Sequence, residues 1–180
     1  MSQKKDINIQ LATEDDIVSI MQMNNHWVIK DPNSIDTSNG YLNVDPFSKE
    51  DLKQIIKSKE LIVAKDGELM AGYYLFDNYS NTNYLNRHKK LIKDCITEGL
   101  LDNNQRVSLR MQCVINRQYQ NQNLSKRMFH SLLSETINKY DVYFASVSIE
   151  NPKYKAHIKI GWEVLKRIDE IILLVYKNNN

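Results

Sequence analysis

The chain has 180 residues, 42% of them hydrophobic, enough for one domain to bury roughly 70% of its unfolded surface without a disulfide or metal. A net charge of only +2 excludes a dedicated, strongly basic nucleic-acid binder, and no run of about 18 apolar residues is present to cross a membrane. Cys95 and Cys113 lie in separate segments with no CxxC or Cys/His cluster, so neither a zinc site nor a disulfide framework is expected, and a reduced, cytoplasmic, unexported protein fits best.

"INIQLA" alternates as a short strand, and "TEDDIVSIMQMNNHWVI" reads as a helix, with Thr13 as N-cap, acidic residues in its first turn, and Ile17, Ile20 and Met21 at helical spacing. "KDPNSIDTSNGYLNVDPFS" holds two of the three prolines and is loop-rich, and Ser48 caps the short helix "KEDLKQIIKS". "ELIVAKDGELMAGYYLFDN" predicts a hairpin turning at Asp66-Gly67, its second strand rich in tyrosine. From Asn78 to Arg106 the chain is polar and then helical, with Gly99 as a stop, and reads as an insertion between strands.

"RVSLRMQCVI" predicts one half-buried strand, Val107, Leu109, Met111, Cys113 and Ile115 on one face, Ser108, Arg110 and Gln112 on the other. In "LSKRMFHSLLSETINKY", Leu124, Met128, Phe129, Leu132, Leu133 and Ile137 form the stripe of a helix lying on a sheet. "VYFASVSIE" is a further strand, "NPKYKAHIKIGW" a helix of two to three turns opened by Pro152 and closed by Gly161, and "WEVLKRIDE" and "IILLVYK" are closing strands. Strands and helices mixed with hairpins imply a mixed sheet with helices on its faces.

The stretch "INRQYQNQNLSKRMFHSLL" runs from a strand directly into a helix. Such a turn aims the helix's first free N–H groups and the positive end of its dipole at whatever lies in front, and an anion is the natural occupant. Lys126 and Arg127 in the first turn face the wrong end of that dipole, at a cost of a few tenths of a kcal/mol each unless negative charge offsets them. A solvated, Asn-rich turn with snorkelling cations accounts for the same residues.

From Ile115 onward the text resembles the acyl-CoA signature of the GNAT superfamily of N-acetyltransferases, a strand followed by a Gln/Arg-x-x-Gly-x-Gly/Ala loop that opens a helix. Gln120, Asn121, Gln122, Asn123, Leu124 and Ser125 fall on that pattern. The strand-helix start, the "LIVAKDGELMAGYYLF" hairpin, "YFASVSIEN" and "AHIKIGW" follow in the family's order. The resemblance implies a single-domain α/β (α+β) acyl-CoA N-acyltransferase fold over 1–180, a mixed, mostly antiparallel central sheet flanked by helices, with 78–106 unmatched. It also implies acetyl-CoA as co-substrate, with no metal. Both expected glycines are Asn121 and Asn123, and the last small residue is Ser125. Asparagine is among the few non-glycine residues that enter the left-handed region at modest cost, so the loop's torsions survive the change. The Asn side chains either crowd the phosphates or donate amide hydrogen bonds to them.

The same resemblance places Cys113, Val114 and Ile115 beside the pantetheine arm, with the loop residues and Lys126 at the phosphates. Asn151 either caps the following helix or bonds the pantetheine amides. The family often has a proton-donating Tyr four residues before the Gly of its Gly-Phe/Trp pair. Here His157 stands there, with an imidazole near neutral pKa, and Tyr154 is the rival donor. Cys113 reads as a small core residue, with a nucleophile of a ping-pong route as the alternative. Glu150 relays the amine's proton or is simply solvated, and the general base is unassigned. His26, Trp27, Tyr41, Tyr73, Tyr74 and Tyr79 lie where the resemblance puts acceptor-lining segments, although hairpin tyrosines also serve packing. Lys155 and Lys159 reach a nucleotide phosphate or face solvent. The implied reaction is direct acetyl transfer to a primary amine of a small molecule or peptide, with no nucleic acid or membrane partner and a homodimer through the C-terminal strands. A catalytically inactive acyl-CoA or anion-binding module of the same fold and a basic protein-interaction domain are the other readings.

Overall fold

In the computed structural model, which describes residues 7–28, 40–42, 45–80, 82–109 and 111–178, the alternation of the first segment forms β1 (Asn8–Leu11). Asp16 then accepts from the Thr13 N–H at 2.9 Å, and a 3-10 turn, Glu14–Asp16, leads into α1 (Ile17–Trp27). Ser48 caps α2 (Lys49–Lys57), its hydroxyl accepting from the Asp51 N–H at 3.1 Å. The expected hairpin is β2 (Leu61–Asp66) and β3 (Leu69–Phe76), turning through Gly67 at φ +61°. The segment read as an insertion holds α3 (Asn83–Thr97), stopped by Gly99 at φ +72°. Of the loop-rich stretch over 30–48, the positions 30–39 and 43–44 lie outside the described residues, as does Arg110.

The strand expected over 106–115 is two strands. β4 (Val107–Ser108) and β5 (Met111–Ile115) belong to different sheets: β5 pairs with β3, whereas β4 pairs in parallel with β6 (Val142–Ser148). Nor are Ser108 and Gln112 solvated: both are buried, and Gln112 Oε1 accepts from Asn24 Nδ2 of α1 at 3.0 Å. The chain ends with α4 (Leu124–Thr136) before β6, then α5 (Tyr154–Lys159), β7 (Glu163–Ile168) and β8 (Ile171–Lys177). At six residues α5 is shorter than expected, because Pro152 and Lys153 form a separate turn ahead of it.

The first sheet runs β1-β2-β3-β5, all antiparallel, and the second β4-β6-β8-β7, antiparallel except for β4 with β6. One face of both sheets is covered by α4, whose Met128, Phe129 and Leu132 pack among Tyr74 and Phe76 of β3, Tyr143 of β6, Trp162 and Leu174 of β8. Burial of each such side chain contributes roughly 1.5–3 kcal/mol. On the opposite face α1 and α2 cover the first sheet, through Ile17, Ile20, Leu52 and Ile55 against Val63, Tyr73 and Val114. There α3 covers the second sheet, Ile92 and Cys95 meeting Val142, Phe144 and Leu173.

Candidate active site

The strand break opens a fork. Among the described residues β4 and β6 are laddered only at Val107 with Val142 and Ser108 with Tyr143; beyond that β5 stays with β3 while β6 stays with β8. The closed end is clamped by Arg106, which donates from Nε to Asp141 Oδ2 at 3.1 Å and from a terminal nitrogen to Oδ1 at 2.7 Å, holding the Asp141 carboxyl at about 2, below the usual carboxylate range. Between the diverging arms lies a cavity of about 350 Å³ lined by Met111–Ile115 on one side and Ser146, Val147 and Ser148 on the other.

At one mouth of the fork the 120–125 loop delivers the start of α4. Asn121 and Asn123 both have left-handed torsions, φ +62° and +58°, as the loop pattern requires of the residues standing for glycine. Asn123 is the N-cap of α4, yet its side chain makes no capping hydrogen bond. The helix start, whose Asn123, Leu124 and Ser125 line the cavity, therefore brings amides without a side-chain cap from Asn123, and the positive end of the dipole, to the cavity wall. Gln120 ties the loop to the strand, donating from Nε2 to the Ile115 carbonyl at 3.2 Å and accepting at Oε1 from Lys153 Nζ at 3.4 Å. Gly72 makes room for this corner of the fork: a Cβ there would stand 2.7 Å from the Val114 carbonyl oxygen.

Asn151 does not cap α5, whose N-cap is Lys153 with no side-chain capping bond; it ties the turn ahead of the helix to a neighbouring loop. Its Oδ1 accepts from the Lys153 N–H at 3.1 Å, and its Nδ2 donates to the Tyr41 carbonyl at 3.0 Å, holding the 40–42 loop over the cavity. Gly40, at φ +84°, sits so close to Lys153 that a Cβ would come 2.6 Å from its Cγ. His157 faces the cavity from α5 between the rings of Tyr74 and Trp162, at 6.4 and 6.1 Å between centroids. Burial pushes its pKa down to about 4, so the ring is neutral at physiological pH, which corrects the expectation of an imidazole titrating near neutrality. Its Nδ1 is buried without a hydrogen-bond partner among the described residues. Burial also pushes the Cys113 thiol up to about 12, which leaves it protonated and favours its reading as a packing residue.

No protein-family model matches the sequence, and no curated protein matches it significantly. Solved structures do match. A candidate acetyltransferase of Salmonella typhimurium, solved with its cofactor acetyl-CoA, superposes with a TM-score of 0.63 at 12% identity over 97% of this chain and 95% of its own. A GNAT-family acetyltransferase of Listeria monocytogenes gives 0.64 at 13% identity over 95% and 94%, and a ribosomal-protein-alanine N-acetyltransferase of Brucella melitensis 0.60 at 13% over 94% and 99%. The chain has the fold of the GNAT acetyltransferases.

Within that GNAT fold most of the residues singled out in the sequence converge on the fork. Cys113, Val114, Ile115, Gln120, Asn121, Asn123, Leu124, Ser125, Asn151, Tyr154 and His157 all line the one cavity. Gln122 and Lys126 do not: Gln122 donates back to the Gln118 carbonyl at 3.2 Å, and Lys126 is exposed. Arg127 is anchored to the Ile7 carbonyl at 2.9 Å. Of the two lysines considered on α5, Lys159 lines the cavity and Lys155 does not.

The acceptor-side expectation divides. Trp27 and Tyr41 line the cavity, whereas Tyr73 and Tyr74 are fully buried in the core, because alternate residues of a sheet covered on both faces all point inward. Tyr79 donates to Glu60 at 3.2 Å as part of a separate network, and His26 borders a different surface groove with Met23 and Leu69. Glu150 is exposed at the end of β6. Sequence reasoning missed Tyr84, Gln112, Ser146 and Lys153 as cavity-lining residues. Ser146 and Ser148 carried a signal, two hydroxyls on one face of an otherwise apolar strand. Tyr84 carried none, since only the docking of α3 brings it there.

Proposed function

We propose that this chain is an acetyl-CoA-dependent N-acetyltransferase, moving the acetyl group to a primary amine of a small molecule or peptide by direct transfer. The observation that carries this reading is the fork, whose open strand edge ends at an uncapped helix start reached through two left-handed asparagines. The residues fit the co-substrate. Uncapped amides at the start of α4 suit a diphosphate, with Asn121, Asn123 and Ser125 beside it and the cations of Lys153 and Lys159 at the rim. The outer edge of β5 carries main-chain donors and acceptors that suit an amide-bearing arm lying alongside it.

Acetyl-CoA, when bound, supplies an activated acyl group and a thiolate that leaves. A strand N–H of β5 stabilises charge on the acyl oxygen, and the two arms of the fork orient the amine. His157, neutral at physiological pH, serves the sulfur as a hydrogen-bond donor rather than as an imidazolium acid, and the Tyr154 hydroxyl is the second donor within the same cavity. The protein is taken to be cytoplasmic, with free thiols at Cys95 and Cys113; among the described residues no helix is long and apolar enough to cross a membrane.

Titration calorimetry with acetyl-CoA tests the cofactor half, and thiol release in the presence of polyamines, amino acids, aminoglycosides and peptide N-termini tests the chemistry. Saturable binding followed by amine-dependent CoA release is expected. An absence of binding refutes the reading, and binding with no release to any amine reduces it to an acyl-CoA-binding module.

A further inference from the structure

We infer that Ser146 and His88 form the proton relay that deprotonates the attacking amine, an inference that rests on the acetyl-transfer reading above. Ser146 lines the β6 arm of the fork, across the cavity from Met111 and Gln112. Its Oγ lies 3.0 Å from His88 Nε2, and His88 Nδ1 lies 3.0 Å from the Tyr84 carbonyl oxygen, one helical turn earlier on α3. A carbonyl only accepts, so Nδ1 carries a proton. In the neutral form of the ring that leaves Nε2 as the basic nitrogen, positioned to accept from the Ser146 hydroxyl.

Packing holds the pair in place. His88 is 1% exposed, with the Tyr84 ring 4.4 Å away and the Phe144 ring edge-on at 6.0 Å. The Tyr84 hydroxyl donates to the Ser146 carbonyl at 3.3 Å, and Asp45 accepts from the Tyr84 N–H at 3.2 Å. Among the described residues no Asp or Glu lines the cavity, and its lysines, Lys153 and Lys159, sit at the rim as cations, so the amine proton falls to the Ser146–His88 pair. His157 is left for the sulfur.

In the transfer step the amine lone pair forms the C–N bond and the C–S bond breaks with its electron pair on sulfur. The amine proton passes to Ser146 Oγ as the Ser146 proton passes to His88 Nε2, and the resulting imidazolium later releases that proton to water. Ser146 touches the amine and is the catalytic residue; His88 acts through it.

Two measurements test this. In ring-labelled protein without acetyl-CoA, a long-range proton–nitrogen correlation spectrum is expected to show His88 protonated at Nδ1 alone, with the Nε2 resonance shifting in Ser146→Ala; protonation at Nε2 overturns the relay. Thiol release from acetyl-CoA is then measured with spermidine, an alanyl peptide, hydroxylamine and water as nucleophiles. Ser146→Ala is expected to lower kcat by about 100-fold for the basic amines, with unchanged acetyl-CoA binding, and by much less for weakly basic hydroxylamine. Ser146→Thr keeps the hydroxyl and most of the rate, and His88→Gln repeats the Ser146→Ala pattern. Equal losses for all nucleophiles, or none, overturn the relay. Wild-type protein that binds acetyl-CoA but releases CoA to no nucleophile overturns it and leaves the cofactor site standing; failure to bind acetyl-CoA overturns both.

Discussion

The left-handed asparagine at the head of α4 permits a clean separation of backbone from side chain. Asn123 sits at φ +58°, ψ +20°, in the N-cap position, but its side chain makes no capping hydrogen bond. Asn123→Ala therefore removes no cap, and what it changes is the cost of the left-handed torsion, roughly 1–2 kcal/mol for an ordinary L-residue and less for asparagine. A net loss of about 1 kcal/mol follows, which at this chain length lowers Tm by about 2–4 °C. Asn123→Gly removes the steric cost but adds freedom to the unfolded chain worth about 0.5–1 kcal/mol, so its stability stays near wild type. Thermal denaturation of the three proteins, with acetyl-CoA calorimetry beside it, reads both effects. Glycine is expected to retain binding, because the contacts proposed for the diphosphate are main-chain. Equal stability of the Ala and Gly variants, or loss of binding in the Gly variant at full stability, would refute the argument.

Gly72→Ala drives a Cβ to 2.7 Å from the Val114 carbonyl oxygen and 3.3 Å from the Ile115 Cα, both backbone, so strand β5 must shift. A loss of about 1–3 kcal/mol is expected by denaturant unfolding, together with weakened acetyl-CoA binding. His157 is held at about 4 against an ordinary 6.5, so the unfolded chain binds the extra proton first. Its contribution is complete above about pH 6.5 and is lost as pH falls toward 4, at no more than about 1.4 kcal/mol per pH unit. That slope in urea-melt stability is absent from His157→Phe. Glu60 is fully buried, accepting from Asn78 Nδ2 at 2.7 Å and from the Tyr140 hydroxyl at 2.5 Å. Its replacement by Ala strands those donors and is expected to cost about 2–3 kcal/mol in thermal melts, without altering acetyl-CoA affinity.

The loop torsions were legible because asparagine is among the few non-glycine residues that enter the left-handed region at modest cost, and Asn121 and Asn123 both adopt it. The hairpin and the α4 stripe were legible because each is decided by local period. The break between Ser108 and Met111 was not: alternation continues in step through both pieces, and what separates them is a change of partner from β6 to β3, which no local pattern records. The same holds for the pKa of His157. A six-residue helix reads as a surface element, and the rings of Tyr74 and Trp162 that flank His157 are brought from β3 and the turn before β7 by tertiary packing. Ser146, Tyr84 and His88 met through the docking of α3 on the second sheet.

The change of partner also explains why a cleft persists inside a packed core. A strand edge with open N–H and C=O groups is costly to bury, about 1–3 kcal/mol for each group left without a partner. β5 is such an edge, the last strand of its sheet, and it faces the cavity along its whole length. Closing the fork by laddering β5 onto β6 would satisfy those groups, but β6 is already paired on its other side with β8 from Val142 to Ser148, and the first sheet holds β5 from Met111 to Ile115. Tyr119, fully buried beneath the loop and donating to Asp66 at 2.8 Å, pins the far end of β5 to the hairpin, while Arg106 and Asp141 pin the near end to β6. Anchored at both ends in different sheets, the fork stays open, and its free strand edge must be met by water or by a ligand that itself carries amide donors and acceptors. An acyl carrier with a peptide-like arm and a diphosphate matches that edge and the helix start beyond it in the order in which the chain presents them.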